Sequence, residues 1–158
     1  MSKSKHEVEF LEHVALVGAM LNRTDLRNKN LSNVNFTNST LRGADLSGAN
    51  LRGANLTRCD LSRACLHKAD LTGANLTAAD MSMSYLKGAI FTGANMAMAN
   101  MKRVTAKNAI FYDANMTGVN VHQAEFLGSV FNGAILEGVQ NAETANFFGI
   151  SPSKEPPT

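Results

Sequence analysis

From Leu21 to Leu136 every fifth residue is apolar, and that single count restricts the fold more than any other property of the chain. The series runs Leu21, Leu26, Leu31, Phe36, Leu41, Leu46, Leu51, Leu56, Leu61, Leu66, Leu71, Leu76, Met81, Leu86, Phe91, Met96, Met101, Ala106, Phe111, Met116, Val121, Phe126, Phe131 and Leu136. Two positions before each of these centres the residue is small: Ala44, Ala49, Ala54, Cys59, Ala64, Ala69, Ala74, Ala79 and Ser84 follow one another, with Lys29 the charged exception. A helix buries a stripe of period 3.6 and a half-buried strand buries every second residue. One large and one small inward residue in every five fits neither. It fits a chain that turns a corner each pentad and buries its apolar face only by stacking on its own neighbouring turns, which is a solenoid.

Runs such as "ADLSGANLRGANL" show the unit most plainly, and over roughly Ala19 to Gly138 they resemble the pentapeptide repeat family, whose pattern is A(D/N)LXX. The resemblance implies an all-β fold, a right-handed quadrilateral parallel β-helix with four pentads, hence twenty residues, per coil. About six coils at a spacing of about 4.8 Å would make a repeat section of roughly 29 Å. Residues twenty apart then form columns on four faces, with face one beginning at Leu21, face two at Leu26, face three at Leu31 and face four at Phe36. On face two the undersized centre Ala106 is preceded by Val104 where alanine is usual, so volume is exchanged between the two inward positions, as close packing requires.

The ends depart from the pattern. Residues 1–18 read as a tail and a short N-terminal capping helix, with Val8, Leu11, Val14 and Ala15 on one face of His6–Val17, although "VALVG" at Val14–Gly18 also fits a pentad. Residues 19–138 are the repeats. Residues 139–150 read as a C-terminal cap whose register slips by one after Gly138, with Phe147, Phe148 and Ile150 available to lid the last coil; residues 151–158 read as a disordered tail.

At 158 residues, 44% hydrophobic and 18% charged, the chain has the make-up of one soluble domain. Its N-terminus is interrupted by acids where a signal peptide would be apolar, so the expected location is the cytoplasm, with Cys59 and Cys65 as reduced thiols and no membrane span. Cys65 and His67 share a face, but two ligands do not make a metal site, and no cofactor or metal is expected. No nucleophile with a base at a useful spacing and no phosphate-binding loop is present, since glycines such as Gly43, Gly48 and Gly53 recur at the pentad corners. The chain reads as a non-enzyme.

Function then belongs to the outward residues. Face four carries Asn35, Asn55, Asn75, Asn95 and Asn115 beside threonines, a ladder that reads as satisfying turn backbone. Within Ala19 to Gly138 twelve lysines and arginines face eight acids, and Arg42, Arg63, Lys68, Lys87, Lys102, Arg103 and Lys107 make a basic ridge on faces one and two. No aromatic residues are read as interleaved with it, so a solvated face is the plainer meaning and nucleic-acid binding the weaker one. Family members known to mimic duplex DNA and bind gyrase depend on an acidic surface; a net charge of +2 removes that basis, so gyrase binding is kept only as an alternative. On face three the outward column changes from Asn30, Asn50 and Asp70 to Ile90, Ile110 and Val130; with Tyr112 and Ile135 these form an apolar strip. Either the C-terminal segment folds back over it or a second copy covers it; the expectation is a homodimer through the C-terminal half. The reading is a non-catalytic interaction or structural scaffold with an unidentified protein partner.

Overall fold

Each pentad has five backbone N–H groups, and the architecture follows from where they go. In the computed structural model, which describes residues 15–148, the pentad around Leu71 is representative. The Asp70 N–H donates back one coil to the Ala49 carbonyl at 3.0 Å, the Leu71 N–H forward one coil to Ile90 at 2.7 Å, and the Gly73 N–H forward to Thr92 at 2.9 Å. Ala74 closes the turn onto the Leu71 carbonyl at 3.0 Å. The fifth, on Thr72, donates to the Asp70 carboxylate oxygen Oδ1 at 2.9 Å. The Asp or Asn before the centre therefore exists for a local reason: it completes the backbone account of its own pentad as an Asx turn.

Parallel bridges link residues twenty apart without a break from Ala15↔Asn35 to Asn120↔Gln140, which makes a β-solenoid of four pentads per coil. Corners are tight. The second residue after each centre, from Gly18 to Gly138, has φ between 53° and 73°, while the residue before it has no positive φ, the sign pattern of a type II turn. Glycine is at home there, yet Arg58, Arg63, Lys68, Ala78 and Met83 adopt the same conformation.

The two inward residues of each pentad fill the interior, and from Leu31 to Ala134 they are buried. The small one must be small because it sits in the turn. Its N–H lies 2.9–3.2 Å from the preceding centre's carbonyl wherever it is Ala, Ser or Cys, and the distance lengthens to 3.3 Å at Thr24, Lys29, Val34, Val104 and Val139; Val119, at 3.1 Å, is accommodated. Val104 and Ala106 are both buried, so the exchanged volumes do share the core. In the C-terminal half Phe91, Phe111 and Phe131 stack at 5.0 and 4.8 Å, and Phe126 meets Phe111 and Phe131 edge-on at 5.8 and 5.3 Å. Coil spacing and ring spacing coincide, so aromatic centres stack in register with the sheet.

One end reading needs correction and the other gains a definite place. Ala15 already pairs with Asn35, and the Leu16 N–H donates to the Asn35 carbonyl at 2.7 Å, so Ala15–Val17 belong to the solenoid rather than to a helix; the remainder of the expected capping helix lies outside the described residues. The one-residue C-terminal slip does come after Gly138. Val139 and Gln140 keep the pentad, Gln140 pairing with Asn120, and the extra residue is taken up by a single 3₁₀ turn at Ala142–Thr144. Asn146 rejoins the ladder opposite Glu125, which places Phe147 over Phe126 at 5.1 Å and edge-on to Phe131. Phe148 stays 77% exposed, while Ile150 and the tail fall outside the described residues.

Candidate interaction surfaces

Every Asp and Asn before a centre, from Asp25 to Asn120, spends its Oδ1 on the N–H two residues later, and in the face-four ladder Thr37, Thr57, Thr77 and Thr117 add their hydroxyls to the same oxygen. The asparagine ladder is thus committed to turn structure. Positions that abandon the rule stand out against it.

Face three does so three times in succession. Ile90 pairs with Ile110 and Ile110 with Val130, and each is half-buried by its neighbours in the column. An aliphatic side chain cannot accept the N–H of Thr92, Tyr112 or Asn132, so the Asx turn is given up at each step. Tyr112, on the corner beside the column, is 43% exposed, and Ile135, on face four, is 50% exposed. Their backbone is already used: Ile90, Ile110 and Val130 donate to Ala69, Ala89 and Ala109 and accept from Leu71, Phe91 and Phe111. A partner can engage this flank through side chains but cannot add a strand to it. The described part of the C-terminal segment does not cover the strip; it runs on across faces one and two as far as Phe148.

All seven ridge residues, Arg42, Arg63, Lys68, Lys87, Lys102, Arg103 and Lys107, are exposed. Among the described residues the ion pairs join Arg27 to Asp25 and Asp45, and Arg52 to Asp70, so none involves the ridge. The side-chain hydrogen bond from Arg27 holds the Asp25 carboxyl well below its usual range. At Asp70 burial pushes the other way, but the Thr72 hydroxyl and N–H together with Arg52 outweigh it and keep the carboxylate ionised. The acids of the lower coils are engaged locally, whereas among the described residues the cations of the upper coils form no ion pair, Arg103 donating instead to the Gln123 amide oxygen at 2.9 Å.

An aromatic residue does sit within the ridge, contrary to the sequence expectation. Tyr85, 59% exposed, occupies the outward position on face two between Cys65 and Thr105. The columns do not show it, because apart from Lys87 its basic neighbours lie across the corner or one coil away. Cys65 itself is half-buried with its thiol 3.1 Å from the Ser47 hydroxyl, and the described residues hold no cluster of three His, Cys, Asp or Glu side chains suited to a metal.

Comparison with known families places these coils. Residues 15–53, 30–67, 40–77, 69–105 and 109–140 match Pentapeptide repeats, in 8 copies. The chain belongs to the pentapeptide repeat family. Among solved structures it is similar to HetL of the cyanobacterium Nostoc sp. strain PCC 7120, a pentapeptide repeat protein involved in heterocyst differentiation regulation (25% identity, 87% of this chain and 84% of that one, TM-score 0.39). It is also similar to a trypsin-treated form of QnrB1, a plasmid-mediated fluoroquinolone resistance protein (25% identity, 85% and 77%, TM-score 0.49). No curated protein matches. As a pentapeptide repeat protein, the chain owes its family membership to the pentads themselves, and its individuality to the outward positions where it departs from them.

Proposed function

We propose that this protein is a non-catalytic scaffold for protein contacts, a right-handed quadrilateral rod that self-associates through the face-three strip of Ile90, Ile110, Val130, Tyr112 and Ile135. The observation that supports it is the run of three stacked aliphatics at positions where the fold more often installs Asp or Asn. Apolar surface of this kind is seldom left in water by a monomer, and a two-fold axis would bury the strip against its own copy. The interior, by contrast, is filled with buried side chains from Leu31 to Ala134, which leaves function to the outer faces. Imitation of duplex DNA, a role for gyrase-binding members of the family, calls for a negative surface, and the unpaired cations of the upper coils oppose it.

Sedimentation of the full chain at tens of micromolar tests the reading. The wild type is expected to dimerise, and Ile110→Lys to give a monomer whose far-UV circular dichroism is unchanged. A wild type that sediments as a monomer would sink the proposal.

A further inference from the structure

Six of the seven ridge cations surround Tyr85. In the preceding corner, Arg63, Met83 and Arg103 follow one another at successive coils, and Met83 is 39% exposed. Beyond Tyr85 on face two, Lys87 and Lys107 occupy the same turn position one coil apart, and the Lys68 N–H donates to the Lys87 carbonyl at 3.0 Å. Lys102 joins from face one, its carbonyl accepting the Met83 N–H at 2.8 Å. An exposed tyrosine and methionine are therefore ringed by Arg63, Lys68, Lys87, Lys102, Arg103 and Lys107, none of them in an ion pair among the described residues. An apolar centre of Tyr and Met with a charged rim is the composition of an interaction hot spot.

The field around this centre is local. Glu125 stands two coils above Tyr85 in the same column, Asp45 two coils below, and Asp60 and Asp80 hold the outward column of face one beside it. A nucleic-acid backbone wants an uninterrupted track of cations, with several aromatic platforms if its bases are to stack. This patch spans about three coils, roughly 10–15 Å along the rod, and has one aromatic ring. We infer that it docks a short acidic protein segment carrying an apolar side chain, whose carboxylates meet the lysine and arginine rim while the apolar group rests on Tyr85 and Met83. The inference rests on the scaffold reading but not on the face-three strip.

Fluorescence anisotropy of the full chain with a labelled glutamate-rich peptide containing one central phenylalanine tests it, with an oligo-dT of matched charge as the second probe. The peptide is expected to bind saturably, more weakly as salt rises. Tyr85→Ala should weaken it about tenfold, Tyr85→Phe should retain it, and Lys87→Glu with Lys107→Glu should abolish it, all with unchanged circular dichroism. Arg58→Glu, on the face-four corner, should be neutral, and sedimentation should be unaffected by any of these changes, which separates this surface from the strip. Absence of peptide binding, or binding indifferent to Tyr85→Ala, would overturn the inference. Tighter, Tyr85-dependent binding of oligo-dT would assign the patch to single-stranded nucleic acid instead.

Discussion

Three serines take the small inward position, and their fates differ. Ser39 donates its hydroxyl to the Phe36 carbonyl, and Ser129 bridges the Ala106 carbonyl and the Ala109 N–H, borrowing room from the undersized Ala106 centre. Ser84 is fully buried, and its hydroxyl meets no partner. A buried hydroxyl without a hydrogen bond gives up its hydration and gains nothing in exchange. Ser84→Ala is therefore expected to raise stability by about 1 kcal/mol, read as a higher urea midpoint at unchanged slope, whereas Ser129→Ala should lower it. Cys59, in the same kind of slot, shows the electrostatic side of burial: desolvation pushes its thiol up to about 11, against the opposing contact with the Ser39 hydroxyl. Because the folded state holds that proton more tightly than the unfolded chain, Cys59 contributes stability that fades as pH rises above the ordinary thiol range.

At the scale of the pentad, most of the fold is legible in the sequence because its rule is local: one large and one small inward residue, an Asx before the large one, and a corner after it. Twenty residues per coil is not local information; the family resemblance supplied it and the bridges carry it. The corner conformation is only half legible. Glycine marks it at Gly43 or Gly93, but Ala78 has the same positive φ of 55° with nothing in its side chain to announce it. An L-residue pays about 1–2 kcal/mol in this region, part of which glycine returns through its freer unfolded chain. Ala78→Gly should accordingly stabilise by about 0.5–1 kcal/mol in thermal or urea unfolding. Gly133→Ala should do the reverse, since a Cβ there would run into the Asp113 carboxylate in a backbone already at φ 73°. The exact residue of the C-terminal slip is not legible for a related reason: Val139 and Gln140 are outside the consensus but still fit its geometry.

For the molecule as a whole, stability is a sum over stacked coils, each supported from both sides. Leu71 is fully buried between coils, while Leu136 near the end is only partly so. Leu71→Ala should cost about 2–5 kcal/mol in urea unfolding, and Leu136→Ala clearly less; equal losses would contradict end-to-end stacking. The strip could be found in the sequence because its three aliphatic residues follow one another within a single column. The Tyr85 patch could not, since it forms only when the chain is wrapped and residues from two faces and three coils meet at a corner. The same wrapping has a mechanical side. All the hydrogen bonds between coils run along the rod, so tension applied to its two ends would load them a coil at a time rather than together. Each coil peeled away frees twenty residues, roughly 70 Å of extended chain, in place of a rise of about 4.8 Å. A tethered rod of this kind would yield under tension as a reel that pays out line in equal lengths, its stiffness lying across the axis and its compliance along it.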